Sequence, residues 1–163
     1  MKVQLELKEK YTLILTTSVL LIALSITVAS QLDNQVINAY SSNYNFWFNA
    51  VMFTPGLIVA TVLGLVYWGK IGTAMFCSII TSTLLLIESG FEDLMYFLTY
   101  RGLPLNSVNW NWMWQAKYIG NGFWDTTNQV EWTIIFLLVT AIFLFIMIKI
   151  IGKETDKNEK TKT

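Results

Sequence analysis

Four long runs of apolar residues constrain what this chain can fold into more than any other feature of its sequence. They cover approximately residues 11–29, 47–68, 71–100 and 133–151. A helix needs about 20 such residues to cross the ~30 Å hydrocarbon core of a bilayer. Only 13% of the 163 residues are charged, against roughly a quarter in soluble domains. The sequence therefore predicts an all-α integral membrane protein with four transmembrane helices.

The connections between these runs predict how the helices are arranged. Gly69-Lys70 is too short a link for anything but antiparallel neighbours. We therefore expect one domain over residues 1–151 that forms an up-down antiparallel bundle, with outer loops at residues 30–46 and 101–130. Residues 152–163 are predicted to be a disordered, charged cytoplasmic tail. Residues 1–30 could also be a cleaved signal peptide, but their apolar run exceeds the about 7–15 residues typical of one, which favours a retained helix.

Basic residues are divided unequally between the two sides of this bundle. Arg101 and Lys117 fall on the outer side. The other nine are Lys2, Lys8, Lys10, Lys70, Lys149, Lys153, Lys157, Lys160 and Lys162. Because basic residues concentrate in cytoplasmic segments, both termini are predicted to be cytoplasmic, with the chain in the cell membrane.

The outer side is acidic. Its six carboxylates are Asp33, Glu88, Glu92, Asp93, Asp125 and Glu131. Six acids against two basic residues give this side a net charge of −4. Such a surface attracts metal ions, amines or a basic partner segment.

Glu88 is the most costly of these acids to place. It lies sixteen residues beyond Gly72, or about 24 Å along a helix, which is within the outer leaflet. An intramembrane charge is unfavourable and usually faces the interior of a bundle. We therefore expect Glu88 to face inward along a polar seam at helical spacing. The seam comprises Ser78, Thr81, Ser82, Leu85, Glu88, Ser89 and Glu92.

These residues define a candidate site for a ligand or cation. Its members are Glu88, Glu92, Asp93, Tyr96 and Asp125. Carboxylates alone would suit a hard cation such as Ca²⁺ or Mg²⁺. The structural alternative is that Arg101 and Lys117 simply neutralise these acids.

Tryptophan is concentrated in the second outer loop. Trp110, Trp112, Trp114 and Trp124 could form a lid of indole rings over the acidic mouth, with ring faces open to a cationic ligand. The alternative, which we favour, is a structural role in which these rings anchor the loop at the level of the lipid headgroups.

Small residues recur every four positions along the second run, at Gly56, Ala60 and Gly64. This spacing lets two helix backbones approach closely and predicts a packing surface. Its partner is either another helix of this chain, which we favour, or a second copy.

Several familiar chemistries are absent from the sequence. It has no histidine and a single cysteine, Cys77, which excludes a disulfide within the chain and a Cys/His metal motif. It also lacks a glycine-rich phosphate loop and a Ser/His/Asp set. A net charge of zero gives no electrostatic case for binding nucleic acid. The sequence identifies neither a metal nor a cofactor.

The segment Glu92-Asp93-Leu94-Met95-Tyr96-Phe97 resembles the acidic helix motif of small membrane carotenoid cyclases. The likeness covers six of the 163 residues, and the chain carries no second copy of the motif. We do not assign the chain to that family on this likeness.

Three functions follow from these features. The first, which we favour, is a small accessory subunit or binding protein of a larger membrane assembly, whose acidic, Trp-rich outer face binds a cation or a partner. Its partners would be the lipid bilayer and other membrane subunits. The second is a membrane-embedded enzyme in which Glu88 or Glu92 acts as general acid on an apolar, isoprenoid-type lipid. The third is an oligomeric conductor of ions or small molecules lined by the polar seam. Whether the chain is an enzyme stays open.

Overall fold

A computed structural model describes residues 7–39, 44–98, 104–111 and 113–160 of the chain. All regular structure in these ranges is helical. The α-helices are α1 (Leu7–Ala39), α2 (Tyr44–Tyr67), α3 (Gly69–Glu88), α4 (Phe91–Tyr96), α5 (Trp114–Tyr118) and α6 (Thr126–Lys160), with a 3₁₀ turn at Leu105–Ser107. The predicted all-helical fold is confirmed.

Four of these helices are long and apolar enough to cross a membrane. The membrane-length segments are Glu9–Ala29, Ala50–Tyr67, Gly69–Glu88 and Thr126–Glu154. Large apolar side chains on them point outward, and Leu24, Val66 and Leu138 are each about 60% exposed or more. A monomeric soluble protein rarely exposes so large an apolar surface, whereas lipid tails cover it without cost. The chain therefore has the character of a membrane protein.

The two terminal helices are longer than predicted. α1 continues beyond residue 29 to Ala39, and α6 starts at Thr126 rather than Thr133. α6 also continues to Lys160, so residues 152–160 are helical where a disordered tail was expected. Lysine and glutamate are good helix formers, and once a helix has begun, each added residue contributes one hydrogen bond. The apolar runs mark the lipid-crossing part of each helix and not its ends.

The third apolar run is divided, where one helix to Tyr100 was predicted. α3 ends at Glu88 and α4 begins at Phe91. Between them Gly90 has a φ of 64°, in the left-handed region that glycine adopts readily at helix ends. Its N–H donates to the carbonyl of Ile87 at 3.1 Å. A Cβ at this position would overlap the side-chain amide of Gln129, so the glycine provides both the turn and the space.

α3 is the central helix of the bundle and packs against α1, α2 and α6. In its membrane-length window 39% of the residues are buried, compared with 11% in that of α6. The core of the bundle is formed by Leu15, Ile22, Ile26, Met52, Ala60, Met75, Ile79, Leu86 and Ile151. α6 therefore lies at the periphery and leaves most of its apolar surface for lipid.

The small-residue stripe of α2 faces α3 of the same chain. A Cβ on Gly56 would overlap the side chain of Thr83, and one on Gly64 would lie 3.3 Å from the Cβ of Phe76. Ala60 lies between them and is fully buried. The backbones are closest where Gly72 meets the carbonyl of Gly64. The contacts pair early residues of α2 with late residues of α3, as in a helical hairpin.

Candidate functional site

The segment after α4 folds over the end of the bundle and has a small core of its own. We call residues 104–111 and 113–125 the cap. Its buried side chains are Trp110, Met113, Ala116 and Trp124. Trp110 packs edge-on against Phe97 with a centroid separation of 5.2 Å. Leu94, Leu105, Val108 and Trp132 complete this core. The cap is thus a compact structure fixed to α4 and α6.

The cap and α6 supply hydrogen-bond donors to the end of α3. The carbonyl of Glu88 accepts from Trp132 Nε1 at 3.1 Å and from Gln115 Nε2 at 3.4 Å. The carbonyl of Ser89 accepts from the Thr133 hydroxyl at 2.9 Å. The last carbonyls of a helix have no partner within the helix, and an unpaired carbonyl near lipid is costly. These side chains therefore stabilise the break after α3.

Gln129 connects all three segments at this junction. Its Nε2 lies 3.4 Å from the carbonyls of both Ser89 and Gly90, and its Oε1 accepts from Trp124 Nε1 at 3.0 Å. Gln129 is fully buried, so each of these bonds is shielded from water. One side chain of α6 therefore holds a cap tryptophan and the α3–α4 turn in a fixed relation.

One polar atom at this junction has no partner. Gln115 is 1% exposed, and its Oε1 makes no hydrogen bond, although Nε2 of the same amide donates to the Glu88 carbonyl. In the membrane-spanning part, the hydroxyl of Ser82 on α3 is in the same situation. Unpaired polar atoms are uncommon in protein interiors. Sequence reasoning did not single out Gln115.

Glu88 does not face the bundle interior, which corrects the inward orientation predicted for it. Its side chain is exposed, whereas Ser89 next to it is fully buried. Each helical residue turns about 100°, so a step of seven from Ser82 to Ser89 returns to the same face. Glu88, six residues from Ser82, lies about 120° away from that face. Two successive steps of three in the predicted seam account for this drift.

The other predicted acids have different surroundings. Glu92 is 6% exposed in the first turn of α4, while Asp93 and Tyr96 of the same helix are partly buried. Asp125 caps α6: its Oδ1 accepts from the Asn128 N–H at 2.8 Å, and its own N–H donates to Asn128 Oδ1 at 3.2 Å. This reciprocal arrangement is a helix-capping device.

These placements do not form the predicted carboxylate cluster. Glu88 is exposed, Glu92 is buried, and Asp125 is engaged at a helix start. Within the described ranges, no three acidic or cysteine residues lie close enough together to hold a metal ion. Arg101, the predicted counter-charge, lies outside those ranges.

The four tryptophans of the predicted lid also differ from one another. Trp110 and Trp124 are buried, so their ring faces are not open to a ligand. Trp114 is 45% exposed and meets Trp132 edge-on at 6.0 Å. Trp112 lies outside the described residues. Of the three described indoles, Trp114 alone has the exposure that a lid requires.

The cap has an exposed apolar face that was not foreseen. Trp114, Tyr118, Ile119 and Phe123 are all strongly exposed, with Tyr118 at 72% and Phe123 at 64%. They lie on α5 and on the turn that follows it. The available signal was the pair Ile119 and Phe123, which flank the turn-forming triplet Gly120-Asn121-Gly122, because connecting segments run over the protein surface.

A groove lies at the opposite end of α3, beside the turn between α2 and α3. Its volume is about 460 Å³. It is lined by Thr61, Gly64, Leu65, Gly72, Thr73 and Phe76, together with Trp68 and Gly69 of the turn. Gly72 and Glu88 are sixteen residues apart in sequence, or about 24 Å along the helix. The groove is therefore separate from the cap and from the acidic residues near it.

Comparisons of this chain with models of known protein families, with curated proteins and with solved structures find no match. The geometry of the chain itself is thus the basis for any functional assignment.

Proposed function

We propose that this chain is a small accessory subunit or binding protein of a larger membrane assembly, and that its cap is the surface that binds the partner. The exposed apolar face of the cap, formed by Trp114, Tyr118, Ile119 and Phe123, carries this proposal. Aromatic residues are enriched in protein interfaces, and an apolar patch outside the membrane-length helices is a typical interaction site.

The support beneath this face favours a binding role. Trp110 and Trp124 are packed inside the cap, and Gln129 ties Trp124 to the α3–α4 turn. A surface that is already ordered loses less conformational entropy on association. The cap would therefore present its aromatic side chains to a partner in a fixed arrangement.

Charge favours a partner with basic groups. Glu88, Asp125 and Glu131 are exposed at this end of the molecule. The backbone carbonyl of Glu88 accepts from Trp132, which in turn packs on Trp114, so both indoles lie at the same end of the molecule as Glu88. Exposed carboxylates and aromatic rings at one end of a molecule suit a lysine, arginine or other organic ammonium group. This refines the cation alternative toward an organic cation.

We further infer that the four membrane-length helices form an up-down bundle in the cell membrane, with both termini in the cytoplasm. Nine of the eleven basic residues support this orientation by the positive-inside rule. In a Cys77→Ser background, a membrane-impermeant maleimide added to intact cells should label Asn106→Cys in the cap and not Lys157→Cys in α6. The reverse pattern would invert the orientation.

The other two functions have less support from the structure. A lipid-converting enzyme needs its carboxyl group beside an apolar cavity, and the lining of the groove described above, from Gly72 to Phe76 on α3, lies roughly 18–24 Å from Glu88 along the helix. A conductor would need the polar seam to line a path, and Ser78 and Ser82 are fully buried in the bundle. The accessory or binding role has no such requirement.

Co-purification tests the proposed role. The full chain, carrying an affinity tag, is extracted from its own membranes in mild detergent, and the complex is separated on a native gel. Ile119→Asp combined with Phe123→Asp should reduce the co-purifying assembly at least about tenfold, because a few well-packed side chains supply most of the binding energy of an interface. Glu88→Gln should give a smaller, salt-dependent reduction.

Asn106→Asp is the matched control, since it adds a negative charge to an exposed position elsewhere on the cap. It should leave the assembly intact. If wild-type chain runs alone under all mild conditions, or if the double variant retains its assembly with an unchanged melting temperature, the proposed role is wrong.

A further inference from the structure

The groove between α2 and α3 has no part in the proposed function. It lies where three glycines come together near the turn: Gly64, Gly69 and Gly72. Gly72 packs against the carbonyl of Gly64, and nothing lies within 4 Å of a Cβ built on Gly69. The missing side chains thus let the two backbones meet and also leave an open depression beside them. With a volume of about 460 Å³, it falls within the range of small-molecule sites, roughly 300–1,000 Å³.

We propose that this groove binds the acyl chain of an anionic phospholipid whose phosphate is held by Lys70. The surroundings of the groove identify the occupant. Leu65 is 61% exposed and Trp68 is 75% exposed, and both lie at the end of a helix long and apolar enough to span a bilayer. The groove therefore opens onto the surface that lipid tails cover, and the exposed indole of Trp68 is of the kind found at headgroup level.

Lys70 supplies the charge that selects an anionic headgroup. It directly follows Gly69, which lines the groove, and it is the sole basic residue in the sequence from 44 to 88. Its side chain is 81% exposed, and its ion pair with Glu154 of α6 is long, at 3.8 Å. Exposed pairs of this kind contribute little, and an ammonium group has three donors. Lys70 can therefore bind a lipid phosphate while Glu154 remains nearby.

Two threonines contribute hydroxyl groups to the lining of the groove. Thr61 and Thr73 are exposed and line the depression from opposite helices. The Thr73 hydroxyl donates to the carbonyl of Gly69 at 3.0 Å, which leaves its methyl group for a hydrocarbon chain. The lining of the groove is thus mainly apolar, and the nearest basic residue in the sequence, Lys70, lies next to it in the turn.

Native mass spectrometry of the full chain tests this site. The protein is released from nanodiscs that contain equal amounts of phosphatidylglycerol and phosphatidylcholine with identical acyl chains. One lysine near the membrane surface contributes an about fivefold preference for an anionic lipid. Wild-type chain should retain phosphatidylglycerol over phosphatidylcholine by about this factor, and Lys70→Gln should retain the two equally. Lys117→Gln, which removes a basic residue from the cap, should leave the preference unchanged.

A second variant tests the groove itself. Thr61→Phe fills the depression and should reduce the retention of both lipids. Thr54→Phe places the same side chain two turns away on α2, outside the groove, and should not. The site is refuted if Lys70→Gln keeps the wild-type preference, or if Thr61→Phe retains as much lipid as Thr54→Phe.

The same spectra report the mass of the assembly. A wild-type dimer that Thr61→Phe dissociates would assign the groove to a second copy of the chain and overturn the lipid proposal. Loss of lipid selectivity leaves co-purification through the cap unaffected, so failure of either proposal can be recognised separately.

Discussion

The two ends of the bundle are built by different means. At the capped end, side chains of the cap and α6 donate to backbone carbonyls of residues 88–90, across sequence separations of 27 to 44 residues. At the turn between α2 and α3, Gly64 and Gly72 approach closely, and Tyr67 packs edge-on against Tyr11. The Thr73 hydroxyl donates to the Gly69 carbonyl only four residues away, and Lys70 forms an exposed ion pair with Glu154.

This difference indicates what each end is suited to do. Hydrogen bonds are directional, so the capped end holds its side chains in one arrangement, as a binding surface requires. Close backbone packing fixes the distance between two helices but leaves the adjacent surface open. The turn end therefore offers a depression to lipid, while the capped end offers a shaped surface to a partner.

The largest expected effect is that of Gly90→Ala, and Gly69→Ala at the other end of the bundle is its matched comparison. Gly90 and Gly69 have nearly the same φ, 64° and 68°, and alanine at either position incurs about 1–2 kcal/mol of backbone strain. At Gly90 the new Cβ would also displace the amide of Gln129, whereas at Gly69 it meets nothing within 4 Å. Gly90→Ala should therefore destabilise the fold by about 3 kcal/mol or more.

The two variants can be compared by their melting temperatures in detergent. At about 2–4 °C per kcal/mol for a chain of this size, Gly90→Ala should lower the melting temperature by roughly 6–12 °C, at least about 1.5 times the change for Gly69→Ala. Equal changes would mean that the contact of Gln129 with the turn does not stabilise the capped end.

Gln129→Leu should have the next largest effect. Leucine fills a similar volume but leaves Trp124 Nε1 and the carbonyls of Ser89 and Gly90 without this partner. Leaving buried polar groups unpaired costs about 1–3 kcal/mol. We expect a lower melting temperature together with a red shift in tryptophan emission as the cap loosens. An unchanged spectrum would indicate that the core of the cap holds without Gln129.

The smallest effects compare a helix cap with an ion pair. Asp125→Ala removes the reciprocal cap with Asn128 and should cost about 1 kcal/mol. Lys70→Gln removes the exposed ion pair with Glu154 and should cost less than about 0.5 kcal/mol. Chemical or thermal unfolding of both variants in the same detergent measures the two losses of stability. A larger loss for Lys70→Gln than for Asp125→Ala would contradict this prediction.

Hydrophobicity was sufficient to predict the general fold. Long apolar runs have few alternatives to membrane-length helices. Gly56, Ala60 and Gly64, which recur every four residues, lie on the face of α2 that packs against α3. The ends of the helices were less predictable, because a mixed segment such as residues 31–39 continues a helix without a long apolar run.

The site was harder to predict because it depends on contacts between distant segments. The inward orientation predicted for Glu88 was wrong because steps of three residues were added without correcting for the rotation of 100° per residue. The turn at Gly90 that follows α3 is contacted by Gln129, 39 residues away. Similarly, the burial of Trp110 depends on Phe97 and the rest of the cap core, which periodicity cannot reveal.

The break after α3 also constrains the order in which the segments of this protein can assemble during synthesis. The Gly90 carbonyl has a local donor, the backbone N–H of Leu94. The carbonyls of Glu88 and Ser89 receive their donors from Gln115, Gln129, Trp132 and Thr133, all of which are translated later. A nascent chain that has just released its third membrane-length helix must leave these oxygens to water until the final helix arrives. The tip of α3 therefore stays hydrated during synthesis and becomes sealed when α6 is inserted.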